Sequence, residues 1–122
     1  MKKEKASKTK EIKVSLLNDE YSVVVCWGGV KYVAKILKAW GFENFDVERE
    51  LDTRRGICFY NKGCHPVIAL PKRPRTPEEI GTLAHESTHA VENVFNNIGE
   101  TLGGEVFAHC VGAIVRKVLS TK

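Results

Sequence analysis

Short stretches of apolar residues that alternate with polar ones, or that run together as β-branched residues, predict four β-strands. Ile12, Val14 and Leu16 alternate with polar residues, which is the pattern of a strand with one buried face. Asn61-Lys62-Gly63 is a turn signal between two later runs and predicts a hairpin. Pro66 favours an edge position for the second of these runs, because proline cannot donate to a strand ladder. The predicted strands are residues 12–16, 21–27, 57–60 and 67–70.

Apolar residues at helical spacing predict three helices, so the fold class is α+β with a small sheet of three or four strands. The first helix should end before Gly41. The second has the clearest start: Thr76 can cap it, Pro77 suits its first turn and Glu79 can complete a capping box. The predicted helices are residues 30–40, 77–97 and 101–119.

The charge of the chain is concentrated at its start. Residues 1–10 contain five lysines and one acid, which accounts for the whole net charge of +4. We therefore predict a disordered basic tail at 1–10 and one domain at 11–122. The neutral domain argues against a nucleic-acid-binding fold, so contact with nucleic acid is expected only weakly and through the tail.

The composition also indicates a compartment. The basic start is not followed by the apolar stretch of a secretion signal, and no apolar run is long enough to span a membrane. We therefore expect a cytoplasmic protein with no membrane partner. In that compartment Cys26, Cys58, Cys64 and Cys110 should be free thiols. A second metal site at Cys58, Cys64 and His65 is an open alternative.

The predicted second helix contains His85-Glu86-Ser87-Thr88-His89. Histidines at positions i and i+4 lie one turn apart on one helix face, so both can bind one zinc ion. The glutamate beside the first histidine can then take a proton from an attacking water. The motif predicts one Zn²⁺ per chain, with His85 and His89 as ligands and Glu86 as general base.

The phase of this helix supports a metal site. On a helical wheel, the two histidines project away from the mostly apolar stripe that should face the core. The alternative is a solvated polar face that happens to carry two histidines. The predicted stripe consists of Ile80, Leu83, Ala84, Ser87, Val91, Val94, Phe95 and Ile98.

A catalytic zinc ion needs three protein ligands and one open position. On the last helix, Glu105, His109, Gly112 and Arg116 form a line opposite its apolar stripe. Gly112 would let another helix approach closely. The third ligand could then be Glu105, with His109 and Glu100 as rivals.

Residues 81–91 resemble the active-site helix of zincin metallopeptidases. Together with residues 104–109, they resemble small phage-encoded proteins with a compact gluzincin-like core. The longer metzincin motif is excluded, because Glu92 and Phe95 stand where it requires glycine and histidine.

The resemblance implies a minimal zincin-like domain in which Glu105 is the third ligand. It makes His109 a partner of the ligands or an oxyanion donor, a role for which Tyr60 and Arg75 are further candidates. It also implies that the strand before the active helix borders the cleft and could pair with an extended substrate. That strand consists of Val67, Ile68, Ala69 and Leu70.

The sequence thus predicts a zinc-dependent metallopeptidase that hydrolyses peptide or protein substrates, in the host cytoplasm if the chain is phage-encoded. A different class also fits: a zinc-containing, non-catalytic binding or inhibitor protein of a phage on a zincin-like scaffold. A third hypothesis is a DNA-associated protease guided by the lysine tail.

Overall fold

The computed structural model describes residues 9–17, 20–42, 49–50, 56–60, 65–98 and 104–121. Within these ranges it has the predicted α+β class, with a four-stranded mixed sheet and three helices. Residues 1–8 of the predicted tail and the turn at 61–63 lie outside the described residues. The strands are β1 (Lys10–Leu16), β2 (Tyr21–Trp27), β3 (Ile57–Phe59) and β4 (Val67–Leu70), and the helices are α1 (Val30–Ala39), α2 (Pro77–Ile98) and α3 (Gly104–Ser120).

The first strand begins earlier than the sequence indicated. Lys10, assigned above to the tail, is paired with Trp27 in the antiparallel ladder of β1 and β2. Thr9 lies so close to Gly28 that a Cβ on this glycine would come within 2.7 Å of the threonine side chain. The folded part of the chain therefore includes residues 9 and 10, which corrects the predicted boundary.

The order of strands in the sheet is β1-β2-β4-β3. β4 pairs in parallel with β2 and antiparallel with β3, so it is an interior strand. The prediction that β4 lies at an edge, free to pair with a substrate, is therefore wrong. Pro66 stands just before the strand, where its missing N–H interrupts no ladder, and its carbonyl accepts a hydrogen bond from the backbone of Val24 at 3.0 Å.

The sheet is covered by helices on both faces. α2 and α3 pack on one face and α1 on the other, and β2 contributes alternate side chains to the two layers. The first layer is centred on Val23, Val25, Ile68, Leu83, Val91 and Ile114, and the second on Val24, Cys26, Val33, Leu37, Val67 and Ala69. Each fully buried side chain of this size contributes roughly 1.5–3 kcal/mol, so α2 is held firmly against the sheet.

The start of α2 has the predicted capping box. The backbone N–H of Glu79 donates to Thr76 Oγ1 at 3.2 Å, and the backbone N–H of Thr76 donates to Glu79 Oε1 at 3.1 Å. Arg75 N–H donates to the same carboxylate at 2.9 Å, and Lys72 Nζ lies 3.0 Å from its other oxygen. The bonds from Thr76 and Arg75, aided by Lys72, lower the pKa of Glu79 from 4.5 to about 2.

This capping box should make the stability of the fold depend on pH. The folded state holds the carboxylate of Glu79 ionised, so its contribution is present above about pH 4.5 and is lost as the pH falls toward 2. We expect Glu79→Gln to lower the free energy of unfolding at about pH 6 and to differ much less from wild type at about pH 3. Urea unfolding of metal-free protein measures this. An equal loss of free energy of unfolding at both pH values would contradict the role of the ionised Glu79. Glu20→Gln, at an exposed turn, is the control.

Candidate metal centre

The motif lies in the middle of α2, and its two histidines are on the more exposed side of the helix. His85 is exposed and His89 is half-buried, whereas Leu83, Ser87 and Val91 are buried. Within the predicted stripe Val94 and Phe95 are buried as well, whereas Ile80 and Ala84 are only partly buried. The histidines are fixed to a rigid element and do not form part of the hydrophobic core.

The two imidazoles approach each other through their Nε2 atoms. His85 Nε2 lies 3.2 Å from His89 Nε2, and the rings are nearly perpendicular, at 84°. Two nitrogens each about 2.0–2.1 Å from one tetrahedral zinc ion lie about 3.3 Å apart. The spacing of the two histidines therefore fits a pair of ligands to a single zinc ion.

The second nitrogen of His89 faces an acid. Its Nδ1 lies 3.8 Å from Glu92 Oε1, one turn further along α2. Metal-binding histidines commonly present their other ring nitrogen to a carboxylate, which fixes the ring orientation and the tautomer. Glu92 was not predicted to have this role, although its spacing from His89 could have indicated the contact.

Glu86 is half-buried. Cys58, in the middle of β3, has its pKa raised to about 12, mainly because it is buried and further because the negative charge of Glu86 lies nearby. The proposed general base therefore lies beside β3. This neighbour was not predicted, because nothing in the spacing of residues 58 and 86 indicates it.

Glu105 and His109 are both exposed on α3. Phe95 of α2 and Phe107 of α3 pack edge to face, with ring centroids 5.4 Å apart. If the helices continue antiparallel from this contact, Glu105 lies opposite residue 97, about 12 Å along the axis from His89.

No group of three potential ligands is assembled within the described ranges. The structure thus places His85 and His89 together but does not bring Glu105 to them. The choice between Glu105 and His109 stays a prediction, and Glu100 lies outside the described residues.

Two other expectations concern neighbouring residues. A Cβ on Gly112 would meet only the side chain of Arg116, at 3.2 Å, so no described helix packs closely there. His65 Nδ1 lies 3.0 Å from Ser22 Oγ, and its ring packs against Trp40 on the α1 side of the sheet, whereas Cys58 packs on the α2 side. The described residues therefore do not assemble a second metal site from Cys58 and His65.

Cys26, Cys58 and Cys110 are free thiols, as expected. Cys64 lies outside the described residues.

Of the oxyanion candidates, Tyr60 directly follows β3 and is 49% exposed, and Arg75 is exposed before α2. Their roles stay predictions.

Comparison with protein-family models, with curated proteins and with solved structures found no match. The resemblance to zincins therefore depends on the motif and its placement. None of the helices in the described part of the chain is long and apolar enough to cross a membrane.

Proposed function

We propose that this protein is a zinc-dependent peptidase. The observation that carries the proposal is the 3.2 Å separation of His85 Nε2 and His89 Nε2, which matches two ligands of one tetrahedral zinc ion. Glu86 stands on the same helix between these histidines and beside a strand of the sheet.

The chemistry follows from the donor set. His85 and His89 would hold the ion, and Glu105 is the proposed third ligand. When bound, zinc supplies Lewis acidity, which favours ionisation of water and polarises a carbonyl group. Glu86 accepts the proton of the attacking water and delivers it to the leaving amine. Glu92 Oε1, 3.8 Å from His89 Nδ1, would favour the ring orientation that leaves Nε2 available as a ligand.

Because β4 is an interior strand, β3 is the strand that we propose pairs with the substrate. β3 is the outermost described strand on its side of the sheet, and its Cys58 lies near Glu86. An extended peptide paired with β3 would therefore run past the general base. Main-chain hydrogen bonds would hold such a peptide with little dependence on its sequence.

Hydrolysis of casein and of a mixed peptide library, with zinc added and with zinc chelated, tests this proposal. We expect cleavage with zinc, its loss on chelation and its return when zinc is restored. A zinc-binding protein that cleaves nothing in the library would favour the alternative class, a binding or inhibitor protein. Cleavage that persists after complete removal of metal would contradict the mechanism.

A further inference from the structure

A cleft of about 470 Å³ lies at the start of α2. One wall is the segment that follows β4 and the other is the first two turns of the helix. Its lining is mixed, with apolar and charged groups facing one space. The residues that line it are Leu70, Pro71, Lys72, Pro74, Thr76, Glu78, Glu79 and Thr82.

The cleft leads along α2 toward the proposed metal site. Glu78, Thr82, His85 and His89 recur at intervals of three and four residues, so they share one face of the helix. Thr82 precedes His85 by about 4.5 Å along the axis and Glu78 precedes it by about 10.5 Å. An extended peptide advances about 3.3 Å per residue, so the cleft lies one to three residues away from a bond held at the histidines.

Gly56, which directly precedes β3, lies beside the same part of α2. A Cβ placed on Gly56 would meet Leu70 at 2.9 Å and Thr82 at 3.0 Å, so this glycine lies against the floor of the cleft. Two residues later, Cys58 lies near Glu86. A peptide paired with β3 would therefore pass both the cleft and the general base.

The charged groups in the cleft differ in whether they have a partner of opposite charge. Lys72 is engaged by Glu79 at 3.0 Å, and Glu79 also accepts the two backbone bonds of the capping box. Glu78 is exposed, and its carboxylate has no cationic partner within the described residues. The hydroxyl of Thr82 donates to the backbone carbonyl of Glu78 and leaves that carboxylate available.

The apolar wall of the cleft can contact the apolar part of a ligand. Leu70 is buried at its base, and Pro71 and Pro74 stand beside it. Lysine and arginine side chains combine an apolar stem with a cationic head, and they bury the stem while the head meets water or an anion. The proline wall and the carboxylate of Glu78 match these two parts.

We infer that this cleft binds a lysine or arginine side chain of the peptide substrate, and that Glu78 determines this preference. The inference rests on the proposed peptidase function for the direction of the peptide. Glu78 acts here in recognition and takes no part in the proton transfers assigned to Glu86.

The test uses quenched fluorescent peptides that are identical except at one position, which is lysine, norleucine or glutamate and is scanned along the peptide. For the wild type we expect the lysine peptide to exceed the norleucine peptide in kcat/KM by about fivefold at one position, the upper range for an exposed charge pair. Glu78→Gln should remove this preference, and Glu78→Lys should transfer it to the glutamate peptide. Glu20→Lys, a charge reversal at an exposed turn, should change neither.

Binding of the same peptides to the Glu86→Gln variant, measured by fluorescence anisotropy, separates this inference from the proposed function. A lysine preference in binding that depends on Glu78, without hydrolysis by the wild type, would support the cleft and reject the peptidase. Hydrolysis with no preference at any position would reject the cleft and keep the peptidase. An equal change with Glu20→Lys and Glu78→Lys, or no preference in either assay, would overturn the inference.

Discussion

Glu86→Gln is expected to lower kcat for peptide hydrolysis by about 10²- to 10⁴-fold, the usual contribution of a positioned general base. The amide has nearly the shape of the carboxylate but cannot accept the proton of the attacking water. His85 and His89 are unchanged in the variant, so the zinc content should remain that of the wild type. Hydrolysis and zinc content are measured on the same preparation.

Glu20→Gln is the matched control for that substitution, because it removes the same charge from an exposed turn. It should leave both kcat and zinc content at the wild-type value. Normal turnover by Glu86→Gln would show that another group takes the proton. Loss of zinc in this variant would instead indicate that Glu86 binds the metal directly.

Glu105→Ala is expected to weaken zinc binding by more than about 100-fold. Losing a residue that only supports a ligand costs up to about 100-fold, and losing a ligand itself should cost more. His109→Ala should keep the metal and mainly lower the rate of hydrolysis. The two residues lie one turn apart on the exposed side of α3, so neither substitution leaves a cavity in the core. Competition with a chromophoric zinc chelator measures both affinities.

Loss of zinc by His109→Ala together with retention by Glu105→Ala would reverse the assignment and make the site a three-histidine one. If both variants retained zinc, the third ligand would be a different residue, and Glu100 is the next residue to substitute. The packing of Phe95 on Phe107 makes this test necessary, because antiparallel helices in that register would place Glu105 about 12 Å along the axis from His89.

The sequence predicted the helices well because their signals are local. The capping box at Thr76 and Glu79 depends on residues three apart, and the structure confirms both of its hydrogen bonds. The placement of His85 and His89 away from the core likewise followed from the period of one helix. These features need no knowledge of how distant segments pack.

The order of the strands could not be predicted in the same way, because it depends on pairing between distant segments. Pro66 suggested an edge, yet Val67 to Leu70 is a continuous apolar run with every residue buried, which is typical of a strand covered on both faces. Giving more weight to that run would have placed β4 inside the sheet. The nearness of Cys58 to Glu86 follows only from this topology.

The zinc content of the purified 122-residue chain can be measured by elemental analysis after incubation with zinc and mild dialysis. We expect about one zinc ion per chain for the wild type, because the two histidines fit one tetrahedral ion. His85→Ala, measured in parallel, should hold almost none. A wild-type chain that stays metal-free after zinc is added would show that the two histidines do not form a zinc site. A His85→Ala chain that holds as much zinc as the wild type would show that His85 is not a ligand.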